Sequence, residues 1–284
     1  MSSKPKVLGY LGPEGTFSEQ AARIYRARTA KDRMVLQPFH SIVELILAAD
    51  VGKIHQAVVP LENSLEGPVA LTLDMLAHEV DLKMAAEIIL SVRHHLLAKE
   101  SMDLESIERV ISHPQALGQC RAFLQQYLPQ AELVTASSTA EAAKMVAGSR
   151  ARWAAVGNAA AAEVYNLEIL AADIQDNRAN ATRFCVLGKE DCSHPTGDDK
   201  TSIVFSPRQN KPGVLYEQLR EFAVRGIDLT RIESRPAKSV LGEYLFFVDL
   251  AGHKSEPDTA AAIEAVAASS SFFKILGSYA RWKE

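Results

Sequence analysis

The sequence has few cysteines, and their number and spacing limit the chemistry they support. The three thiols among the 284 residues, Cys120, Cys185 and Cys192, are odd in number and far from any metal-site spacing. We therefore expect no metal, and two of them lie in apolar contexts typical of inert core thiols. Unpaired cysteines are also typical of a reducing compartment, so we expect a cytoplasmic protein.

Long apolar runs and a strong charge of one sign are missing as well. No run approaches the ~20 apolar residues that span a bilayer, and Val7–Leu11 is too short for a signal-peptide core. The net charge is −4, so there is no electrostatic case for a nucleic-acid partner. With 47% apolar and 23% charged residues, the composition is that of a globular protein of two or three domains.

What the sequence does contain is an alternation of short apolar runs with helical patterns. The pairs Thr16/Glu19 and Ser138/Glu141 form capping boxes and predict helix starts, the first of them for a helix from about Phe17 to Arg28. A further helix is predicted over Leu117–Tyr127. Strand–helix alternation indicates parallel strands with crossover helices. One such set precedes the extended run Met84–Leu97 and another follows it. Because that run is too long for one strand, we expect it to cross from one lobe to another.

The predicted fold class is α/β: a two-lobed, periplasmic-binding-protein-like domain followed by a ferredoxin-like domain. A polar segment with Pro195 and Gly197 predicts the linker between them. Beyond it, strands and helices follow the ferredoxin-like order βαββαβ. The predicted boundaries are 1–188 for the two-lobed domain (lobe 1, 1–90 and 172–188; lobe 2, 91–171), 189–200 for the linker and 201–284 for the last domain.

Candidate binding segments follow the predicted strands of the two lobes. They are Gly12–Thr16, Glu62–Gly67, His113–Gln115 and Ser137–Thr139. In open α/β lobes, ligands collect at the carboxyl ends of strands, and nearby helix N-termini favour anions. Many uncharged donors with few cations suit a di-anionic organic acid. For Thr16 and Ser138 taken singly, simple helix capping is the favoured alternative.

The segment Asn180–Phe184 places a hydroxyl, a guanidinium and an aromatic ring on consecutive residues before an apolar strand. The Arg183 guanidinium fits a carboxylate, and the Thr182 hydroxyl can give or take a proton. This combination suits a small carboxylate that is held and then protonated. Taken alone, the segment also fits a Thr and an Arg on a solvated strand end.

Four motifs in this order resemble those of prephenate dehydratases, and the resemblance covers essentially the whole chain. They are Gly9–Ser18, Val59–Ser64, Ser112–Leu117 and Asn180–Phe184. Residues 212–216 and Glu233–Pro236 resemble an ACT regulatory domain, with Val214 where the family more often has Ala. The chorismate mutase domain fused ahead of some relatives is not seen, so we expect a monofunctional chain.

The resemblance implies conversion of prephenate to phenylpyruvate with loss of carbon dioxide and water, and it implies no cofactor. It assigns catalysis to Thr182, with Arg183 holding a substrate carboxylate and Phe184 helping to exclude water. Neutral donors to the other substrate oxygens are expected from Thr16, Asn63, Ser64, Gln115 and Ser138.

The ACT resemblance implies feedback inhibition by L-phenylalanine and a homodimer or homotetramer paired through these domains. The expected effector residues are Asn210, Gly213, Val214, Leu215, Glu233, Ser234, Arg235 and Pro236. Three alternatives stay open: an arogenate dehydratase, a two-lobed carboxylate binder without chemistry, and a phenylalanine sensor with inactive lobes. No residue in the sequence separates prephenate from arogenate as the substrate.

Overall fold

The computed structural model describes residues 5–29, 34–209, 211–238 and 242–283, and strands in this part form three sheets. The elements are, in chain order, β1 (Lys6–Leu11), α1 (Phe17–Arg28), β2 (Met34–Phe39), α2 (Ile42–Asp50), β3 (Gln56–Asn63), β4 (Gly67–Pro68), α3 (Ala70–His78), β5 (Lys83–Ser91), β6 (His95–Ala98), a 3-10 turn (Leu104–Ser106), β7 (Arg109–Ser112), α4 (Pro114–Gln119), α5 (Arg121–Tyr127), β8 (Glu132–Thr135), α6 (Thr139–Gly148), β9 (Trp153–Gly157), α7 (Ala159–Tyr165), β10 (Glu168–Ala171), β11 (Ala181–Gly188), β12 (Asp199–Pro207), α8 (Val214–Ala223), β13 (Leu229–Pro236), β14 (Tyr244–Ala251), α9 (Pro257–Ala268) and β15 (Ser270–Ala280).

The first sheet has the order β2-β1-β3-β11-β5, with β4 paired to β3. β1 and β2 run parallel, as the strand–helix alternation predicts. The sequence does not predict β2, because Gln37 and Pro38 interrupt its apolar pattern. Pro is tolerated there because β2 lies at the end of the sheet, where one side of the strand makes no ladder bonds.

The second sheet has the order β10-β6-β9-β7-β8, with β7 parallel to both β8 and β9. β6 is antiparallel to β9 and to β10. Neighbouring residues of β6 enter different apolar clusters: Leu96 packs with Val110, and Leu97 packs with Ile111. The sheet is therefore buried on both faces, which explains its continuous apolar strands.

The predicted crossing at Met84–Leu97 is confirmed, since β5 ends at Ser91 in the first sheet and β6 begins at His95 in the second. The chain returns between β10 and β11. The two crossings touch, because the backbone N–H of Val92 donates to the carbonyl of Asn180 at 2.8 Å.

The helix predicted over Leu117–Tyr127 is wrong as a single element, because α4 and α5 are separated at Cys120. Asp176, from the returning crossing, is responsible. Its backbone N–H donates to the Gln119 carbonyl at 2.7 Å, and its carboxylate accepts from the Ala122 N–H at 3.2 and 3.3 Å. These bonds replace the helical ladder at the break.

The third sheet is antiparallel with the order β13-β14-β12-β15. Its elements follow the predicted βαββαβ sequence, so the ferredoxin-like prediction is confirmed. Phe205 and Val248 of the sheet form an apolar core with Phe222 of α8 and Val266 of α9.

The chain divides into two compact units. The first comprises Met1–Leu45, Val58–Gly67 and Ile89–Phe184, and the second Ile46–Ala57, Pro68–Ile88 and Cys185–Glu284. The lobe, linker and domain boundaries expected from the sequence stay predictions.

Candidate active site

A cavity of about 300 Å³ lies in the first unit, where β1, β3, β7 and β8 end. Leu11, Asn63, His113 and Ser137, at or just after these carboxyl ends, contribute to its wall. Five of the residues expected to meet the substrate line this cavity together: Thr16, Asn63, Gln115, Ser138 and Thr182. Segments separated by more than a hundred residues in sequence therefore converge on one site.

The cavity offers an anion neutral donors and helix N-termini. The caps of α1 and α6, Thr16 and Ser138, lie in its wall, as does His113 at the start of the short helix α4. No Asp, Glu, Lys or Arg occurs among the described residues that line it. Attraction for an anion therefore comes from the helix dipoles and unbonded N–H groups.

Asn63 fixes the hydroxyl of Thr182. Its side-chain oxygen accepts from the backbone N–H groups of Leu65 at 3.0 Å and Glu66 at 3.1 Å, which sets the orientation of the amide. The amide nitrogen must then be the donor to Thr182 Oγ1 at 2.9 Å. Because Thr182 Oγ1 accepts this bond, its own proton points elsewhere, and no described residue accepts it. Thr182 is therefore available as a donor to a ligand in the cavity.

The two cap residues, Thr16 and Ser138, differ in whether a described residue accepts the proton of the side-chain hydroxyl. Thr16 Oγ1 accepts from Glu19 N at 3.2 Å and donates its proton to Leu11 O at 3.0 Å, so its hydroxyl is engaged on both sides. Ser138 Oγ accepts from Glu141 N at 3.0 Å, and no described residue takes its proton. Ser138 can therefore cap α6 and donate to a ligand at the same time.

Arg183 and Phe184 are not among the described residues that line the cavity. Arg183 is buried, and its Nη1 donates to Glu62 Oε1 at 3.1 Å. Side chains alternate along β11, so Arg183 faces away from Thr182 while Phe184, which is 2% exposed, lies in the interior on the Thr182 side. The structure does not bring the guanidinium to the site where the sequence analysis expected it. It joins β11 to the neighbouring strand β3 instead.

Ser64 lies beside the cavity and does not line it. Its hydroxyl donates to Asn180 Oδ1 at 3.3 Å and accepts from the Ala181 N–H at 3.0 Å. This bonding holds the start of β11, the strand that carries Thr182.

Two polar cavity residues, His94 and Gln119, were missed by the sequence analysis, and Asn180 was named only as the start of the segment Asn180–Phe184. Gln119 lies four residues after Gln115 on the same face of α4, a spacing that could have identified it. His94 lies in the crossing between the two sheets, so its place in that segment was the available signal. Burial lowers the pKa of His94 below its usual value, against the raising effect of its hydrogen bond with Gln119, so the ring is neutral at neutral pH.

Some of the expected effector residues line one cavity, and others do not. A cavity of about 560 Å³ in the second unit is lined by Gly213, Val214 and Leu215, and Gly213 has a φ of 86° that favours glycine. Asn210 lies outside the described residues. The segment Glu233–Pro236 is in strand β13 and is not among the described residues lining that cavity.

Arg235 has a different partner. Its Nε and Nη2 donate to the two carboxylate oxygens of Asp74, on α3, at 2.8 and 3.0 Å. Both residues belong to the second unit. This bidentate pair ties the end of β13 to α3.

Within the described ranges, no cluster of three or more His, Cys, Asp or Glu residues could hold a metal ion. No helix in the described part of the chain is long and apolar enough to cross a membrane.

The family model for prephenate dehydratase matches residues 8–192, which is more than half of the chain. The chain belongs to the prephenate dehydratase family. A second family model, for the ACT domain, matches residues 203–268.

Individual relatives are similar to this chain over nearly its full length. The prephenate dehydratase of Amycolatopsis methanolica is 42% identical over 276 residues, which are 96% of this chain and 88% of that protein. The crystal structure of prephenate dehydratase from Arthrobacter aurescens in complex with L-Phe has a TM-score of 0.88 at 34% identity and covers 97% of this chain and 90% of that one. A structure described as GqqA, a novel type of quorum quenching acylase, has a TM-score of 0.85 at 30% identity and covers 98% of both chains.

Proposed function

We propose that this protein is a prephenate dehydratase, a carbon–oxygen lyase that converts prephenate to phenylpyruvate in L-phenylalanine biosynthesis and is feedback-inhibited by L-phenylalanine. The observation that carries the proposal is the hydroxyl of Thr182. Its oxygen is occupied by Asn63, and its proton is available to a cavity whose described lining holds no Asp, Glu, Lys or Arg. Family membership supplies the reaction for which this donor is suited.

The reaction needs one proton delivered to a leaving group. The ring carboxylate leaves as carbon dioxide, and the electron pair of the breaking C–C bond enters the ring. The C–O bond on the opposite carbon breaks, and the departing hydroxyl takes a proton to become water. Aromatisation drives both cleavages. Thr182 donates this proton or transmits it from solvent, since a neutral Thr hydroxyl is a weak acid but a well-placed donor.

The remaining cavity residues hold the dianion. Ser138 and Gln115 donate to substrate oxygens, and the N-termini of α1 and α6 stabilise the carboxylates. We assign Thr16 to capping α1, since both sides of its hydroxyl are bonded. Arg183 acts indirectly, because its pair with Glu62 ties β11 to β3 beside the strand start that carries Thr182.

L-phenylalanine is proposed to bind at the cavity lined by Gly213, Val214 and Leu215. A homodimer or homotetramer paired through ACT domains fits the position of β13 at the end of its sheet, where a second copy could continue the ladder. Glu233–Pro236 would then meet the effector site of the partner copy. A cytoplasmic location is part of the proposal and is supported by the free state of all three thiols.

Two variants of Thr182 test the catalytic assignment. Thr182→Val keeps the shape and removes the hydroxyl, and we expect kcat to fall about 10²- to 10⁴-fold. Thr182→Ser keeps the hydroxyl and should stay within about tenfold of the wild type. Phenylpyruvate formation measures kcat, and calorimetry with phenylpyruvate checks that both variants still bind. A Thr182→Val enzyme with wild-type kcat would contradict the mechanism.

Two product assays separate the alternatives, because arogenate carries an amino group and would give L-phenylalanine in place of phenylpyruvate. Turnover of arogenate with none of prephenate would retain the mechanism and change the substrate. Binding of prephenate by the wild type without any product would favour a carboxylate binder or a phenylalanine sensor.

A further inference from the structure

His94 is a buried histidine that the reaction outlined above does not use. Its side chain lines the cavity, yet the residue is 3% exposed. Its Nδ1 atom is buried and has no hydrogen-bond partner among the described residues. An unpaired buried acceptor lowers stability, a cost that a phenylalanine of similar size would not carry. Packing alone therefore does not explain the presence of a histidine at this position.

A chain of hydrogen bonds joins His94 to Thr182. Thr182 Oγ1 accepts from Asn63 Nδ2 at 2.9 Å, and the same amide nitrogen donates to Asn180 Oδ1 at 2.9 Å. Asn180 Nδ2 then donates to Gln119 Oε1 at 2.9 Å. Gln119 Oε1 lies 3.2 Å from His94 Nε2. Four side chains thus connect the crossing segment before β6 to the catalytic hydroxyl.

The donor and the acceptor of every hydrogen bond in this chain can be assigned by starting from Asn63. The backbone N–H groups of Leu65 and Glu66 can only donate, so they fix the amide of Asn63. The Asn63 donor fixes the Asn180 amide, which in turn fixes Gln119 with its oxygen toward His94. A carbonyl oxygen only accepts, so Nε2 must carry the proton and Nδ1 must be the bare, unpaired acceptor.

We propose that His94 is a positioning residue for Thr182: the Leu65 and Glu66 N–H groups fix the direction of the Gln119–Asn180–Asn63 chain, and the His94 Nε2–H holds the other end of the chain in place. The proposal rests on the proposed function, since it assigns His94 a part in that reaction. If the donor at His94 Nε2 is lost, Gln119 Oε1 keeps only the bond from Asn180. Gln119 and Asn180 can then shift, and the shift reaches Thr182 through the Asn63 amide nitrogen, which donates to both Asn180 Oδ1 and Thr182 Oγ1.

The consequence is specific to the transition state. Thr182 transfers its proton only as the hydroxyl leaves, so misaligning it lowers kcat and leaves substrate binding largely unchanged. The neighbours of His94 do not provide a substitute anchor. The Phe17 ring meets it edge-on with centroids 5.8 Å apart, and Gln175 Oε1 accepts from the backbone N–H of His94, not from its ring.

A pair of substitutions separates the two ring nitrogens. His94→Gln places an amide donor near the position of Nε2 and removes Nδ1, whereas His94→Asn places its amide near Nδ1 and falls short of Gln119. We expect His94→Asn to lose about tenfold or more in kcat with KM within about twofold, and His94→Gln to stay within about threefold of the wild type. His95→Asn is the matched control. Asn can still accept the Asp173 N–H that His95 Nδ1 accepts at 3.0 Å, so its kcat should not change.

Each other outcome overturns the inference. Loss in His94→Gln, whether or not His94→Asn retains activity, would show that Nδ1 or the ring itself is required. No loss in either variant, or a rise in KM that accounts for the loss, would remove the positioning role. Absence of prephenate turnover in the wild type would remove the proposed function and this inference with it. If the variants do not fold, ¹⁵N NMR of ring-labelled wild-type protein still decides, because a protonated Nδ1 with a bare Nε2 contradicts the bond directions.

Discussion

Replacing Asp74 by Asn tests the bidentate ion pair identified in the second unit. Asp74 accepts from Arg235 at 2.8 and 3.0 Å and pairs with Lys238 at 2.7 Å. The side chains of Asp74 and Arg235 are 17% and 18% exposed, whereas Lys238 is 59% exposed. The bidentate pair is therefore poorly hydrated, and the lysine adds little. Hydrogen bonds to charged groups contribute about 1.5–3 kcal/mol when shielded, so we expect Asp74→Asn to lower the free energy of unfolding by about 2 kcal/mol.

Thermal unfolding followed by circular dichroism measures this loss. At roughly 2–4 °C per kcal/mol for a protein of about this size, the midpoint should fall by about 4–8 °C. Asp81→Asn is the matched control, because Asp81 also pairs with lysines, at 3.3 Å to Lys83, but is 82% exposed. We expect it to cost less than about 0.5 kcal/mol.

The pH dependence gives a second check on the same pair. Burial raises the pKa of Asp74, but its bonds to Arg235 and Lys238 outweigh that effect and hold it below its usual range. A carboxyl with a lowered folded-state pKa stabilises the protein above its unfolded pKa of about 3.9, and this contribution is lost as pH falls through the folded value. The difference in the free energy of unfolding between the wild type and Asp74→Asn should thus be constant from about pH 5 to 8 and shrink below about pH 4. Equal midpoints for Asp74→Asn and Asp81→Asn at pH 7 would refute the reasoning.

Three further predictions follow from buried groups. Glu87→Gln leaves the Lys200 ammonium, now 2.9 and 3.0 Å from the carboxylate oxygens, without a buried counter-charge, and should cost about 3–5 kcal/mol in urea unfolding. Gly277→Ala forces a Cβ into the backbone of Met84 at a φ of 150°, so we expect little folded protein, judged by expression and circular dichroism. Burial raises the pKa of the Cys120 thiol to about 12, so it should resist alkylation at pH 8 until the protein unfolds, as followed by mass spectrometry.

Controls for these predictions lie in the same chain. A Cβ at Gly118, in α4, meets no heavy atom within 4 Å, so Gly118→Ala should be neutral or slightly stabilising. The half-buried Cys192 should be alkylated before the buried Cys120 and Cys185. Rapid native labelling of Cys120, a well-folded Gly277→Ala protein, or a Glu87→Gln variant as stable as the wild type would each contradict the packing described.

Local signals predicted the elements well where they were strong. The capping box at Thr16 and Glu19 predicted a helix over Phe17–Arg28, and the structure has α1 over the same residues. Signals failed where a distant residue intervenes. The residues between Leu117 and Tyr127 do not predict the break in the helix, because the break depends on Asp176, which lies in the second crossing.

The residues of the candidate site also divide into those that local patterns predict and those that depend on distant contacts. Residues at strand ends could be predicted as a group, because parallel strands deliver their carboxyl ends to one edge, and Thr16, Asn63, Gln115, Ser138 and Thr182 do meet there. Arg183 is not among the described residues that line the cavity, because side chains alternate along a strand and Thr182 takes the cavity side. The link from His94 to Thr182 could not be predicted, since it consists of four hydrogen bonds between side chains that are distant in sequence.

The central claim is that this chain dehydrates and decarboxylates prephenate under control of L-phenylalanine. The most direct test follows phenylpyruvate formation by the purified protein from prephenate, with and without L-phenylalanine. The account predicts steady turnover that L-phenylalanine suppresses. No phenylpyruvate from a folded protein that still binds L-phenylalanine would contradict it.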